Sequence, residues 1–328
     1  MFSDNISYYH EDAHPSFIPM PWSLQDTRAS IPPRLFRRST ALGLYFLLRD
    51  LLMAACACKA ALFIDPLFRH AATIDALTPF GAMCARWACW GVYWWFQGLH
   101  LHCHDAFLDY KLLNDAVGFV THTLLWTPYF SWKISHHWHH STGARRDLGL
   151  PPADEAWSAD YDEILGDTPL YTLFMLVRQQ LVAFPAYLLF NVSGQKTYPE
   201  RTNHFDLILI TYLHHTTPEL PHYRGKAWNF QRATVDRPFL GRQGRFFLHD
   251  VAHFHGVHYL FPKMSFYHGE EATKYLQGFI GEHYAYSEKP IFKALWENYN
   301  RCQFVEDEGS VLFYRDRQGR AARRAVRV

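Results

Sequence analysis

The 328-residue chain lacks several features that identify common classes of protein. It has no acidic or basic run of the kind that marks nucleic-acid binding, and its formal net charge is only +1, so we expect no nucleic-acid partner. Its six cysteines form no CxxC pair, which argues against a disulfide framework or zinc ribbon and favours a reducing compartment. The first residues lack the basic-then-apolar pattern of a signal peptide. We therefore expect any membrane targeting to come from internal segments.

Strand signals are also few, whereas long apolar runs are present. The runs exceed the usual length of a strand, and they predict an all-α protein. The last run is too short to cross a bilayer alone, because a helix rises about 1.5 Å per residue against a hydrocarbon core of about 30 Å. We expect a short loop that contains Pro66 between the first two runs. The four runs are 41–64, 79–99, 168–192 and 207–213.

Charges beside and within these runs bear on the membrane prediction. Basic residues within 34–38 precede the first run and predict that the polar segment 1–40 stays in the cytosol. Arg49, Asp50 and Arg86 interrupt the runs, and a charge at mid-bilayer is costly. A soluble α-protein with buried or amphipathic helices therefore stays open as an alternative.

Histidine is the most informative residue type, with 21 copies, and aromatic residues reach 17%. Imidazole is a common ligand of transition metals, and aromatic rings suit a membrane interface. On a helix, positions i, i+3 and i+4 share one face, so such spacings can aim several imidazoles at one ion. Three clusters have this spacing: HxxxH at His100 and His104, HxxHH at His136, His139 and His140, and HxxHY at His255, His258 and Tyr259.

The order of the clusters carries more weight than any one of them. With this histidine content, roughly one HxxxH is expected by chance, and an HxxHH about once in ten such chains. Here HxxxH ends one apolar run, HxxHH follows, and the third cluster comes after the last apolar stretch. This joint pattern predicts a metal site.

The chain resembles the membrane fatty acid desaturases, most of all the delta-12 (oleate) type. The resemblance covers most of the chain after the first twenty residues and extends well beyond the histidines. The matching segments are SLQDTRASIPPRLFRRST at 23–40, HDAFLDYKLLNDAVGFVTHTLLWTPYFSWKISHHWHHSTG at 104–143, LITYLHHTTPELPHYRGKAWNFQR at 209–232, TVDR at 234–237, LFPKMSFYHGEEAT at 260–273 and GEHY at 281–284.

The resemblance implies the fold, the cofactor and the ligands. It implies an integral membrane helical bundle with a cytosolic helical cap that carries a histidine-rich di-iron site, with 41–328 as the desaturase domain. Two non-haem irons would activate O2 for hydrogen removal from a methylene group. We expect carboxylates to orient the imidazoles, with Asp105, Asp109, Asp236 and Asp250 as candidates. The implied ligands, which are also the catalytic residues apart from His215, are His100, His104, His136, His139, His140, His215, His255 and His258.

The same resemblance implies the partners and the location. The substrate would be a long-chain acyl lipid or acyl thioester. No HPGG haem motif is present, so we expect electrons from a separate cytochrome b5 and its reductase. The protein would be a multi-pass protein of the endoplasmic reticulum membrane, with its histidine clusters on the cytosolic side.

Other histidines have different expectations. His214 is the nearest rival of His215 as a ligand. Four further histidines are expected to be structural or to support the ligands, namely His102, His122, His137 and His249.

The chain departs from the family pattern in three ways, and the mildest is Asp105, which stands where relatives often have His or Gly after the first cluster. Tyr259 stands where the third cluster of the family has its last histidine, and a phenolate would alter an iron site made of neutral imidazoles. His253 offers a spare nitrogen nearby. Between residues 202 and 203, several dozen family residues with apolar segments are missing.

These departures keep three alternatives to desaturation open. The site could perform hydroxylation, acetylenation or epoxidation on a fatty or polyketide-like chain. The chain could instead be a degenerate, non-catalytic relative or an incomplete gene product. Zinc binding without redox chemistry is a lesser alternative, because structural zinc sites use four ligands.

Overall fold

The computed structural model describes residues 16–99, 110–124, 129–130, 133, 168–178, 208–223, 234–306 and 309–325. These residues are mostly helical, which confirms the predicted class. The helices are α1 (Leu24–Ser30), α2 (Thr40–Ala61), α3 (Ile64–Arg69), α4 (Ala71–Leu99), α5 (Lys111–Leu124), α6 (Pro169–Arg178), α7 (Ile208–His215), α8 (Gly241–Phe247), α9 (His255–Leu260), α10 (Gly269–Ile280) and α11 (Ile291–Arg301). Three single 3-10 turns lie at Pro33–Phe36, Phe266–His268 and Gly281–His283.

Helices α2 and α3 contain the first predicted apolar run. Ser39 begins α2 by accepting a hydrogen bond from the backbone of Leu42, which satisfies one free N–H of the first turn. The stretch Thr40–Arg69 is the one helical stretch among the described residues that is long and apolar enough to cross a membrane, and most of it is exposed. The 22 residues of α2 would extend about 33 Å at the usual helical rise.

The segment after α2 differs from the expected short loop. Pro66 lies inside helix α3, in the first turn, where a missing backbone N–H costs no helical hydrogen bond. Helix α4 then has a kink at Thr78, whose φ of 64° is unusual for a branched residue and which directly precedes Pro79. The limb after this kink coincides with the predicted second run, 79–99.

The charges that interrupt the apolar runs have partners. The carboxylate of Asp65 accepts hydrogen bonds from Arg86, with Nε and Oδ1 2.7 Å apart, and from the indole of Trp90 at 3.0 Å. Arg49 pairs with Asp50, and Asp50 Oδ2 lies 2.6 Å from Nε2 of His249. These pairs join helix α3 to α4 and helix α2 to the segment before α9.

We call helices α7 to α11 the helical cap, and one of its cores forms around helices α9 and α10. The start of α1 has a capping box, in which Ser23 and Asp26 each accept a hydrogen bond from the other's backbone. Ile31 and Leu35, from the described part of the N-terminal segment, pack in the same core as α9 and α10, and the boundary of that segment at residue 40 stays a prediction. The buried core of the cap is formed by Ile31, Leu35, Val257, Leu260, Phe261, Met264, Ala272 and Leu276.

A second core packs helices α6, α7 and α11 together. It holds the only described portion of the third predicted run, 168–178, and residues 179–192 lie outside the described part. This core fixes α7, which carries His214 and His215. Its buried members are Leu176, Leu213, Phe239, Leu248, Ala252, Ala294 and Leu295.

Six two-residue strands complete the described fold. β1 pairs parallel with β6, β2 antiparallel with β5, and β3 parallel with β4, where Asp236 lies opposite Tyr286. They are too short to have given a sequence signal. The strands are β1 (Ser16–Phe17), β2 (His222–Tyr223), β3 (Val235–Asp236), β4 (Ala285–Tyr286), β5 (Val311–Leu312) and β6 (Arg324–Ala325).

Candidate metal centre

Two histidines from separate predicted ligand segments meet in the cap. Nε2 of His215, at the end of α7, lies 3.0 Å from Nε2 of His255, at the start of α9. Their rings cross at 73° with centroids 4.9 Å apart. The two residues are forty positions apart in the sequence, so tertiary packing alone brings these nitrogens together.

The geometry separates His215 from its neighbour His214. His214 is completely buried, and its Nε2 lies 2.7 Å from the carbonyl oxygen of Ala252. Because a carbonyl can only accept, this nitrogen carries the proton and cannot bind a metal. The ring of His214 packs 4.5 Å from that of His255 and supports it. His215 is therefore the one of the two whose Nε2 faces the third cluster.

His258 and Tyr259, the other two members of the third cluster, lie close to this pair. His258 lies one turn further along α9, with its ring centroid 5.7 Å from that of His255. Tyr259 is buried, with 2% of its surface exposed, and its ring centroid lies 4.9 Å from that of His215. The phenol therefore lies beside the histidine pair rather than at the protein surface.

A buried carboxylate holds the start of α9. Oδ1 of Asp236 accepts a hydrogen bond from the backbone N–H of Gly256 at 2.6 Å, and Oδ2 accepts one from the hydroxyl of Tyr284 at 2.6 Å. The first N–H groups of a helix have no partner within the helix, and a negative charge there is favourable. Burial raises the pKa of Asp236 to about 6, although the hydrogen bonds from Tyr284, Gly256 and the His255 backbone lower it.

The next residue holds the end of α7. Nε of Arg237 donates to the carbonyl oxygen of Leu213 at 2.8 Å, and Nη1 donates to Oγ of Ser287 at 3.1 Å. Arg237 is buried, with 4% of its surface exposed. The carbonyls of the last turn of a helix also lack internal partners, and a cation there is favourable.

Two other residues that the sequence singled out have different partners. The carboxylate of Asp250 pairs with Arg245 at 2.7 Å, so this contact does not orient an imidazole. His249 contacts Asp50, in accord with the structural role expected of it. The pKa of His253 is lowered by burial, and its ring lies close to Gly244 rather than forming part of the pair described above.

The other predicted ligands lie outside the described residues. These are His100, His104, His136, His139 and His140, and the candidates Asp105 and Asp109 lie outside them as well. Within the described part of the chain, no group of three or more His, Cys, Asp or Glu side chains is arranged to hold a metal ion. The structure therefore brings together one predicted pair, His215 and His255, with His258 near it.

The residues present fit a metal chemically. Two nitrogens that bind one ion at about 2.1 Å in adjacent positions of an octahedron, at a right angle to each other, lie about 3.0 Å apart. This is the observed separation of the two Nε2 atoms. Without an ion, one imidazole would donate a hydrogen bond to the other; with an ion, both Nε2 atoms would be unprotonated.

Sequence reasoning named Asp236 but missed Arg237 and Tyr284. Both lie in short segments, TVDR at 234–237 and GEHY at 281–284, that carried the family resemblance without being assigned a role. The presence of Arg237 and Tyr284 in such short segments that match the family was the sequence feature that could have pointed to them. The sequence could not show that Arg237 donates to the backbone carbonyl of Leu213 in α7, or that Tyr284 donates to the carboxylate of Asp236.

The described residues therefore define a helical protein with one helical stretch long and apolar enough to cross a membrane, and with two histidine nitrogens in contact that form a candidate metal centre. The chain is 34% identical to the delta(12) fatty acid desaturase of Mortierella alpina, with 90% of each chain covered. It is 32% identical to a delta(12) fatty acid desaturase of Calendula officinalis, over 88% of this chain and 91% of the relative. It is 30% identical to a delta(12) acyl-lipid conjugase of Impatiens balsamina, over 88% and 89%. The chain belongs to the delta-12 fatty acid desaturase family, a family of oxidoreductases.

No protein-family model matches the chain. The alignment to the Mortierella relative is 376 residues long, longer than this chain, although it covers only 90% of it. The relative therefore contains residues that this chain lacks, as the sequence predicted. The predicted place of the gap, between 202 and 203, lies outside the described residues.

Proposed function

We propose that this protein introduces a double bond into a long acyl chain, with O2 as co-substrate, at a histidine-ligated site with two non-haem irons. The observation that carries the proposal is the contact between Nε2 of His215 and Nε2 of His255 in a chain of this family. Two imidazoles from separate helices with their Nε2 atoms 3.0 Å apart can direct both lone pairs at one ion once metal binding displaces the proton between them, and this is the arrangement that a metal site needs.

The ligands in this proposal are eight histidines. His215, His255 and His258 lie in the described cap, and the other five come from the first two clusters. When bound, the irons would supply the activation of dioxygen that hydrogen removal from an unactivated methylene requires. The full set is His100, His104, His136, His139, His140, His215, His255 and His258.

The described residues would perform three tasks for this chemistry. His214 donates its Nε2 proton to the Ala252 carbonyl and so supports His255 by ring packing without competing for the metal. Burial of His255 and Tyr259 limits the access of water to this side of the site. His215 and His255 would each carry the ring proton on Nδ1, so that the Nε2 lone pairs of both rings face the same point.

The proposal also covers the substrate, the electron donors and the location of the enzyme. The substrate would be a long-chain acyl lipid or acyl thioester, since the curated relatives are named for delta(12) fatty acids and acyl lipids. Electrons would come from cytochrome b5 and its reductase. The protein would lie in the endoplasmic reticulum membrane, with several spans and the histidine clusters on the cytosolic side; Thr40–Arg69 is one candidate span.

A second candidate chemistry has a specific observation in its favour. Tyr259 replaces a family histidine and packs against His215, so the surroundings of the metal would differ from those of a desaturase. The Impatiens relative is named as a conjugase, which is a different reaction outcome within the same family. Hydroxylation, acetylenation or epoxidation would leave distinct products.

The test is expression of the full chain in a host that makes oleoyl chains, lacks linoleoyl chains and supplies cytochrome b5 with its reductase. Acyl chains are then analysed by gas chromatography with mass spectrometry. We expect a new diunsaturated chain with the wild type and none with His215→Ala or His255→Ala. His268→Ala is the matched control. This histidine is not one of the proposed ligands, and its Nε2 lies 3.2 Å from the carbonyl oxygen of Arg37.

Iron content of the purified protein separates the remaining outcomes. Two irons per chain with a hydroxylated, acetylenic or epoxidised product would favour the second chemistry. Unchanged acyl chains together with zero or one iron would contradict the proposal and favour a non-catalytic relative. Equal product from the wild type and both alanine variants would contradict the assignment of these two histidines.

A further inference from the structure

We propose that Asp236 and Arg237 form a positioning pair, which sets the separation of the metal-facing nitrogens of His215 and His255. The inference rests on the proposed function, because it assumes that these two histidines bind metal. Neither residue of the pair touches the metal or the substrate in this account. They act on the two helices that carry the ligands.

The first step is that each residue contacts a different helix, and does so at the end nearest the site. Asp236 accepts a hydrogen bond from the backbone of Gly256, the residue after His255. Arg237 donates to the carbonyl of Leu213, two residues before His215. A short stretch of chain thus connects the start of α9 to the end of α7.

The second step is that the signs of the charges match the helix ends. A carboxylate is favourable at the N-terminal end of α9, and a guanidinium is favourable at the C-terminal end of α7. Successive side chains of an extended segment point to opposite sides. Adjacent residues of opposite charge can therefore reach two helices at once, with Cα atoms only about 3.8 Å apart.

The third step is that the pair itself is held in place. The hydroxyl of Tyr284 donates to Asp236, and Oγ of Ser287 accepts from Arg237. The backbone of Ser287 also donates to the carbonyl of Asp236 at 3.1 Å, in continuation of the β3–β4 pairing. Both charged side chains are buried, with 1% and 4% of their surfaces exposed, so neither can move into solvent without opening this region.

The consequence is a measurable effect on metal binding without loss of any ligand. Residues that orient metal ligands commonly change metal affinity or activity by about 10- to 100-fold when they are replaced. We expect effects of this size from Asp236→Ala and from Arg237→Met. The conservative changes Asp236→Asn and Arg237→Lys should fall between these and the wild type, because each keeps one of the two hydrogen bonds.

The experiment uses the purified full chain in detergent, stripped of metal and titrated with cobalt(II). Visible absorption reports both the affinity and the ligand field of the bound ion. We expect weaker cobalt binding and a shifted ligand-field spectrum in the two disruptive variants, with partial recovery in the two conservative ones. A residue that only stabilises the fold would reduce the amount of folded protein but would leave the spectrum of the folded fraction unchanged.

Asp316→Asn and Arg315→Met provide matched controls in the turn at 315–320, which carries no predicted ligand. Asp316 is a buried carboxylate that accepts from the backbone N–H groups of Gln318 and Arg320, and Arg315 donates to the carbonyl of Gly319. These controls should bind cobalt as the wild type does. If the wild type binds no cobalt, the proposed metal site is wrong. If it binds and the Asp236 and Arg237 variants match the controls, the positioning role is wrong.

Should Asp236→Ala or Arg237→Met fail to fold, the conservative variants decide the question. Unchanged affinity and spectrum in both Asp236→Asn and Arg237→Lys would then overturn the inference. A shift in either variant, absent from the controls, would support it.

Discussion

The phenol ring of Tyr259 lies against the imidazole of His215, with the ring centroids 4.9 Å apart and the planes at 59°. The two side chains come from α9 and α7, and the same contact region includes the His215–His255 nitrogen pair. The residue that departs from the family pattern is therefore next to the predicted ligands. A change at this position acts directly on the candidate metal centre.

Tyr259→His tests this position. Imidazole is the ligand that the family has here, and it adds a neutral nitrogen beside His215. We expect the variant to hold more iron per chain than the wild type and to form more diunsaturated product. Metal analysis and acyl-chain profiling measure the two effects. Tyr259→Phe is the control, since it keeps the ring but adds no ligand.

A fall in product after Tyr259→His, with iron content unchanged, would contradict this expectation. The phenol would then have been recruited to a different reaction. In that case, Tyr259→Phe would show whether the different reaction needs the hydroxyl group of Tyr259 or only its ring.

Gly256, inside the third histidine cluster, should not tolerate a methyl group. A Cβ atom there would lie 3.3 Å from Oγ1 of Thr234, closer than most Cβ contacts, whereas Oδ1 of Asp236 at 3.5 Å would be in ordinary contact, so Thr234 would have to shift. We expect Gly256→Ala to lower the free energy of unfolding by about 1–3 kcal/mol, as overpacking commonly does. Thermal unfolding of the detergent-purified protein measures it.

Gly278→Ala in helix α10 is the matched control, because its Cβ would meet nothing within 4 Å. Alanine there should stabilise by about 0.4–1 kcal/mol through the unfolded state. Equal behaviour of the two variants would argue against the close approach of α9 to Thr234.

Asp65 and Arg86 should depend on each other. Removal of one partner leaves the other charge unpaired between apolar helices, whereas removal of both charges leaves no unpaired charge there. We expect Asp65→Asn to lower the thermal midpoint and Asp65→Asn with Arg86→Met to recover most of the loss. A double variant that is less stable than the single one would show that the pair is not the reason for the loss.

Glu297 on helix α11 should contribute stability that depends on pH. Burial opposes its ionisation, but hydrogen bonds from Lys289 and Arg301 hold the pKa of Glu297 below its usual value. A lowered folded-state pKa gives stability that is fully present above the unfolded value of about 4.3 and is lost as the pH falls through the folded value.

We therefore expect Glu297→Gln to be less stable than the wild type at pH 7, by about 0.2–1 kcal/mol for each exposed pair. The difference should shrink below about pH 4. Unfolding curves at several pH values measure it. A difference that stays constant from pH 7 to the acid end would rule out ionisation of Glu297 as its cause.

Much of the helical layout could be predicted from local pattern. The apolar run that starts near residue 41 became α2, and the run at 79–99 became the second limb of α4. Pro66 was misread as part of a loop, because a proline in the first turn of a helix has the same sequence signature as one between helices. The two-residue strands gave no periodicity to detect.

The site was predictable only in part, for a different physical reason. Spacing within one helix relates His255 to His258, but nothing local relates His255 to His215, which lies forty residues earlier. The resemblance supplied that link, and the structure places the two nitrogens in contact. Arg237 was missed because it donates to a backbone carbonyl, and such contacts place few demands on the neighbouring sequence.

Helix α2 is held to the cap along one face. Phe46 packs on Phe266 with ring centroids 4.8 Å apart, Arg49 donates to the carbonyl of Phe246 at 3.1 Å, and Asp50 contacts His249. These three positions fix the rotation of the helix about its own axis. If α2 crosses a membrane as proposed, the opposite stripe, with Leu48 and Leu52 more than half exposed, would face the lipid, and the contacts with the cap would set the orientation of this helix in the bilayer.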